Sequence, residues 1–348
     1  MTPPAAKPHL DNSASDRPAS DRPAFDILGI GNAIVDVVAP VHEAFLSRHD
    51  MRKGAMALID ATTAERLYDD LPAGQESSGG SVANSCAVAA ALGARVAFLG
   101  RVADDQLGGV FRHDIGAAGV HFPTPPLTGG APTARCLIAV TQDGQRTMNT
   151  YLGACVAFGP DEVDERLVAN ALVTYLEGYL FDPPAAQAAF RRAAAAAHAA
   201  GREVALSLSD AFCVDRHRAA FRELVAGHVD ILFANEAEIC ALYERDNFDV
   251  AAAQARQDVA LAALTRSEAG SLILRGPEEV AVAAVATPVV DTTGAGDAYA
   301  AGFLAAYTAG RSLAACGRLG SIAAAEVISH LGARPLRDLG GELAALGD

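Results

Sequence analysis

The chain has 348 residues, enough for one large domain with a small appendage, and its 51% hydrophobic, 20% charged composition is globular. A net charge of −15 argues against the basic face that nucleic acid or an anionic membrane would need. The two lysines, Lys7 and Lys53, follow no glycine-rich run, which excludes a Walker A loop and the strand lysine of protein kinases.

Any phosphate chemistry must therefore use backbone N–H groups, arginines and a metal ion. Cys86, Cys136, Cys155, Cys213, Cys240 and Cys316 form no C-x-x-C pair and read as reduced, buried thiols of a cytoplasmic protein. The histidines show no zinc-binding spacing. No apolar run reaches the roughly 18 residues of a membrane span, and no apolar signal segment is seen near the start.

Residues 1–23 are rich in Pro, Ser, Asp and Ala and hold the tandem repeat Ser15-Asp16-Arg17-Pro18-Ala19, Ser20-Asp21-Arg22-Pro23-Ala24. Such a stretch cannot bury enough apolar area to offset its ordering entropy, so a disordered tail is expected. Order starts with a strand, Phe25 to Ile30. Gly29-Ile30-Gly31-Asn32 opens like a dinucleotide fingerprint, but Ile34 stands where the third glycine belongs, which disfavours a Rossmann oxidoreductase. Asn32 and Asp36 suit vicinal hydroxyls, the carboxylate accepting two hydrogen bonds; plain turn residues are the competing reading.

Gly79-Gly80-Ser81-Val82-Ala83-Asn84 precedes a small-residue helix, Ala83 to Leu92. Glycines there allow close backbone approach to a ligand, and Asn84 can hydrogen-bond a polar substrate; a simple N-terminal cap is the alternative. Gly100 to Gly108 reads as a strand end and a capped helix start, mainly structural. Residues 37–62 and 121–155 alternate apolar with polar residues and predict strands outside the main sheet, as a small lid.

Beyond residue 155 the rhythm changes. Leu172 to Glu177, Val204 to Ser209, Val229 to Phe233 and Val259 to Thr265 are strand-like, and Pro184 to Ala200 is an Ala-rich helix stopped by Gly201. Apolar strands separated by helices predict an α/β fold, a mostly parallel sheet covered on both faces. The large domain is expected over 24–36, 63–120 and 156–348. Asn235 and Glu238, just past a strand, can hold a hydrated Mg²⁺ beside phosphates. Asn with Glu three residues on fits a capping box as well, and these residues alone favour the cap.

The most informative segment is Asp291-Thr292-Thr293-Gly294-Ala295-Gly296-Asp297-Ala298-Tyr299-Ala300-Ala301-Gly302. An apolar strand, Val285 to Val290, is expected to run into this turn, and a helix from Ala298 to Ala309 to leave it. Its unpaired N–H groups, with the positive end of the helix dipole behind them, make an anion site at Gly294, Ala295 and Gly296. A carboxylate beside bound phosphate is repelled unless it has a task, and for Asp297 that task is taking a proton from an attacking hydroxyl. A bare G-x-G-D would by default be an Asp N-cap.

Together these segments resemble the ribokinase-like (PfkB) family of small-molecule kinases over about residues 25–335, and within it the adenosine kinases. Gly79 to Gly108 resembles the first family signature and Asp291 to Gly302 the second. The likeness to adenosine kinases rests on Gly-Ile-Gly-Asn-Ala-Ile-Val-Asp at 29–36, Gly-Gly-Ser-x-x-Asn at 79–84 and Leu-Ser-x-x-Phe at 208–212. The resemblance implies Asp297 as base and Gly294, Ala295 and Gly296 as anion hole. It implies Asp36 on the ribose hydroxyls with Gly80, Asn84 and Asn32, and Phe212 stacked on the nucleobase. Asn235 and Glu238 would organise Mg²⁺ through water, Thr265 to Gly270 would line the ATP site, and Arg146 would reach the transferred phosphate.

Three departures stand out: Ala103 for a usual Gly, Arg266-Ser267 for Leu-Gly in the ATP loop, and Ser321 where Asn often lies near the ATP base. The implied reaction is ATP- and Mg²⁺-dependent transfer to a primary hydroxyl, foremost the 5′-OH of adenosine to give AMP, a purine-salvage step. A monovalent cation is an optional further cofactor. The rival readings are a sugar kinase of the ribokinase or fructokinase type, for which Phe212 discriminates, and a binding protein without turnover, which intact Asp297 opposes.

Overall fold

The computed structural model describes residues 23–347. The expected tail lies outside them except for Pro23, which is buried and whose carbonyl accepts from Arg95 Nη1 at 2.8 Å. The elements run β1 (Phe25–Ile30), β2 (Ile34–Pro40), α1 (Glu43–Arg48), β3 (Met56–Leu58), α2 (Ala61–Asp70), β4 (Gln75–Gly79), α3 (Ser81–Ala91), β5 (Val96–Leu99), α4 (Gln106–Ala117) and β6 (Val120–His121). Then come β7 (Ala134–Val140), β8 (Arg146–Tyr151), α5 (Glu165–Ala169), β9 (Ala171–Glu177), α6 (Pro184–Ala199), β10 (Glu203–Ser207), α7 (Ala211–His228) and β11 (Ile231–Asn235). The last are α8 (Glu236–Tyr243), α9 (Phe248–Asp258), β12 (Leu261–Thr265), β13 (Ser271–Arg275), β14 (Glu278–Val282), α10 (Ala295–Thr308), α11 (Leu313–Ile328) and α12 (Glu342–Ala345).

The large sheet has nine strands in the order β14-β13-β12-β11-β10-β9-β1-β5-β6. It is parallel from β6 to β12 and closes with the antiparallel pairs β12–β13 and β13–β14. Successive strand residues point to opposite faces, and both faces are apolar. Along β11, Ile231 and Phe233 join one core with Phe303 of α10 and Leu319 of α11, while Leu232 and Ala234 join the other with Phe190 of α6 and Phe221 of α7. Helix ends follow local chemistry: Asp60, Asp105 and Asp210 cap α2, α4 and α7 with their carboxylates.

The mostly parallel sheet with helices on both faces is as expected, and a second sheet exists, in the order β3-β8-β7-β2-β4. Its boundaries differ from the expected lid segments. Ile34 to Asp36 and Gln75 to Gly79 belong to this second sheet, because β2 pairs antiparallel with β4 from Ile34–Gly79 to Val38–Gln75. Only three residues separate β1 from β2, so the chain changes sheet almost at once.

One expected strand is not formed. Val285 to Val290 is irregular, with Val289 63% and Val290 57% exposed. The run leaves the sheet edge at β14 and must reach α10, which packs against α3, α11 and β1 near the sheet centre, so it crosses strand ends instead of joining them. Its last residue is tied down by Val290 N–H donating to the Ile328 carbonyl (2.8 Å). The cysteines are all free, and all but Cys240 are buried. No helix among the described residues is long and apolar enough to cross a membrane.

At the amino end of β10 a carboxylate is sealed in. Glu203 is buried, Oε1 accepts from Tyr307 Oη at 3.0 Å, and Oε2 has no partner among the described residues. Burial pushes its pKa from 4.5 to about 7, the Tyr307 bond, Arg275 and His198 opposing and Asp230 adding to the rise. The unfolded chain therefore ionises first, and stability declines between the two pKa values and stays lower above them. Glu203→Gln should be more stabilising at pH 8 than at pH 5 by roughly 1–3 kcal/mol, the cost of its own unpaired amide being the same at both. Urea unfolding at the two pH values checks this; an equal effect at both would exclude titration of Glu203 as the cause.

Candidate active site

In an open parallel sheet ligands bind beyond the carboxyl ends of the strands, and this chain gathers its polar residues there. Asn32 follows β1, Glu177 ends β9, Asp210 follows β10, Asn235 ends β11 and Thr265 ends β12. Helix α10 starts at the same end. Gly294 caps it at φ 78, where a Cβ would lie 2.7 Å from that of Ala333, so only glycine fits. A Cβ at Gly296 would meet nothing within 4 Å.

The N–H groups of Gly294, Gly296 and Asp297 have no acceptor among the described residues. Ala295 does: its N–H donates to the Thr292 carbonyl at 3.2 Å, closing the turn. Of the three groups expected to hold an anion, those of Gly294 and Gly296 are open, that of Ala295 is engaged within the turn, and Asp297 N–H is open beside them. The Ala295 contact is one that spacing alone cannot reveal.

Asp297 stands in the first turn of α10, half-buried, with Oδ1 accepting from Ser81 Oγ at 2.5 Å. Burial raises its pKa to about 6, the Asp36 charge adding to the rise and the Ser81 bond opposing it. Asp36, on β2, is likewise lifted by burial to about 6, against the pull of Arg334 and Arg146. Its carboxylate fits because its diagonal neighbour on β4 has no side chain: a Cβ at Gly79 would come 2.3 Å from Asp36 Oδ2.

Gly80 is needed for a different contact than expected. With φ 98, its Cβ would sit 2.2 Å from the Asn32 carbonyl, so the close approach is to the chain itself. Asn32 is also committed. Its Nδ2 donates to Glu177 Oε1 at 2.6 Å and its backbone N–H to Oε2 at 3.2 Å. Glu177 is 1% exposed, accepts from Val82 N–H at 3.0 Å, and is lifted by burial to about 7, those bonds opposing and Asp297 adding to the rise. Asn84 is buried in α3 with Oδ1 accepting from Arg334 Nε at 3.3 Å.

Asn235 and Glu238 form the full capping box: Asn235 N–H and Nδ2 donate to Glu238 at 2.9 and 2.5 Å, and Glu238 N–H donates to Asn235 Oδ1 at 2.9 Å. Burial lifts Glu238 to about 7, with the charges of Asp210 and Asp297 adding to the rise. Carboxylates that crowd one another are the chemistry of a site for a divalent cation. Among the described residues no group of His, Cys, Asp and Glu is able to hold a metal ion directly.

Arg146 opens β8 and reaches across from the second sheet to Asp291, both side chains largely buried. Asp291 also accepts from Thr293 N–H (3.0 Å), Thr293 Oγ1 (2.7 Å) and Gly332 N–H (3.2 Å). Burial opposes its charge, but these bonds and Arg146 outweigh it and hold the carboxyl below its ordinary range. Arg146 Nε remains buried without a partner among the described residues.

Phe212, second residue of α7, is 74% exposed, whereas Leu206 on the preceding strand and Leu208 just past it are fully buried. A core role for Phe212 is excluded. Thr265 pairs with Asn235 across parallel strands, and in the loop after it Ser267 takes φ 49, in the left-handed region. Gly270, at φ 85, would place a Cβ 2.1 Å from the Val282 carbonyl. Arg266 is held by Glu236 at 3.1 Å and lies 4.3 Å over the Phe248 ring. Ser321 is buried on α11.

The sequence reading missed Glu177, Ser81, Asp291 and Arg334. A lone Glu ending an otherwise apolar strand was a signal for the first. Arg334 had none, since it arrives from a coil far along the chain.

Residues 55–338 match the family described as pfkB family carbohydrate kinase. A crystal structure of adenosine kinase from Sinorhizobium meliloti is 55% identical, with a TM-score of 0.84 over 92% of this chain and 99% of that one. A probable sugar kinase protein from Rhizobium etli is 50% identical, with a TM-score of 0.85 over 92% and 99%. An ATP-dependent ribose-1-phosphate kinase from Halopiger xanaduensis is 31% identical over 67% of this chain and 74% of its own. The chain belongs to the pfkB family and is an ATP-using phosphotransferase whose acceptor is a hydroxyl group.

Proposed function

We infer that the protein phosphorylates the 5′-OH of adenosine, with Asp297 as base. The observation that carries this is the juxtaposition at the start of α10: a half-buried carboxylate beside N–H groups that no atom of the described residues satisfies. Asp297 accepts the hydroxyl proton as the oxygen attacks the γ-phosphoryl of ATP. The N–H groups of Gly294, Gly296 and Asp297, with the helix dipole, bear the charge on the transferred group. Arg146, with its unpartnered Nε, adds a cation from the second sheet, which excludes water when it closes. Ser81 orients the base.

Bound Mg²⁺, held through water by Glu238 and Asn235, would neutralise charge on the phosphates. Asp36 and Asn84 take the ribose hydroxyls, and Glu177 keeps Asn32 in place. Thr265 to Gly270 and Ser321 take the ATP base side. The exposed ring of Phe212 and the 55% identical adenosine kinase both support a nucleoside. A free sugar is the second reading, favoured by the 50% identical probable sugar kinase. A panel of nucleosides and sugars with ATP, scored by kcat/KM, decides between them.

Asp297→Asn should lower kcat by roughly 10²–10⁴-fold while ATP still binds; a variant keeping a tenth of the wild-type kcat would sink the assignment. In the wild type, kcat should decline below pH about 6 as Asp297 takes up a proton.

Stacking on a base is worth about 1–3 kcal/mol. Phe212→Ala should therefore cut kcat/KM for adenosine roughly 5- to 150-fold while leaving any turnover of ribose and the melting temperature near wild type. An unchanged adenosine-to-ribose ratio would remove the case for a nucleoside.

A further inference from the structure

Arg334 lies beyond α11, in the coil that leads to α12, yet its guanidinium is spent at the acceptor end of the site. Each nitrogen has its own partner: Nε donates to Asn84 Oδ1 (3.3 Å), Nη1 to Asp114 Oδ2 (2.9 Å) and Nη2 to Ser78 Oγ (2.6 Å). Ser78 is on β4 of the second sheet, Asn84 on α3 and Asp114 on α4, so one side chain joins three elements. Asp114 in turn accepts from Ser78 N–H (2.8 Å) and Ser78 Oγ (2.6 Å), which fixes the fork from the other side.

Two consequences follow for the acceptor. A guanidinium can only donate, so the Asn84 atom facing it must be the oxygen, and the amide Nδ2 is turned away as a donor. The charge also acts on Asp36, which sits across the β2–β4 pair from Ser77, next to Ser78.

We propose that Arg334 is a positioning residue for the acceptor: it sets Asn84 as a hydrogen-bond donor and holds a positive charge on β4 one residue from the partner of Asp36, so that amide and carboxylate match vicinal hydroxyls. The inference rests on Asp36 and Asn84 being the acceptor site, as inferred above. Asp36 also feels Arg146 from β8, Asp297 from α10 and Cys136 opposite it on β7, while Arg334 feels Asp114, Asp36 and Cys86. Of these, Arg334 exerts the largest attraction on Asp36, and burial pulls the other way. Removing a nearby opposite charge moves a carboxyl by about one pH unit or more.

The test is adenosine binding by calorimetry from pH 5 to 8, with ribose in its place if the acceptor panel selects a sugar. Arg334→Met should weaken acceptor binding about ten- to hundredfold, with acid weakening that begins about one pH unit higher than in the wild type, and ATP affinity unchanged. Arg334→Lys keeps the charge but not the fork, so the acid limb should stay near the wild type while affinity still falls. A brace for the fold alone would lower the melting temperature and leave the acid limb in place in both variants, which overturns the proposal. Asp36→Ala, run alongside, separates the layers. If it leaves acceptor affinity unchanged, the acceptor site is wrongly located and the role of Arg334 falls with it. If it weakens binding while Arg334→Met does not, only the role of Arg334 falls.

Discussion

The constraint on which this site depends is the crowding of carboxylates at one end of a parallel sheet. Asp36, Glu177, Glu238 and Asp297 are all pushed toward neutral pH by burial. A folded chain tolerates that only if each group has donors or a task. Glu177 and Glu238 have donors: they close on the residues of their own strand ends and helix starts, through Asn32, Val82 and Asn235. Asp36 and Asp297 are left with fewer, and those two face the substrates in the proposed reaction. The strain of unshared charge is thus sorted by hydrogen bonding into framework and chemistry.

The second sheet is joined to this end by two arginines, one from each direction. Arg146 reaches from β8 to Asp291, at the mouth of the turn that opens α10. Arg334 reaches from the coil after α11 to β4. In the proposed reaction, any closure of the smaller sheet would have to move against both contacts or carry them along. The turn that opens α10 and the residues around Asn84 are therefore not independent of where the small sheet sits.

What was legible in the sequence was local. The strand Phe25 to Ile30 keeps its expected bounds, and the turn at 291–297 shows its two glycines and its aspartate at the places the spacing requires. What escaped was set by partners far along the chain. The pairing of β2 with β4 moved Asp36 onto the smaller sheet, because an antiparallel register cannot be read from one strand. Val285 to Val290 has the composition of a strand but no free path to an edge. Ala295 N–H meets a turn carbonyl three residues back, a contact below the reach of pattern.

The glycines around the site divide into two kinds. At Gly80, Gly270 and Gly294 a methyl group would strike the chain's own atoms. Gly296 is bounded by open space, so nothing in folding demands it. A survey of variants read by cellular abundance would pass Ala at 296 and reject it at the other three. Read by growth that depends on the reaction, all four would look alike if bound phosphate approaches Gly296 as proposed. A difference between the two surveys would then mark the one glycine of the four whose shape is dictated by what comes and goes, not by the protein that stays.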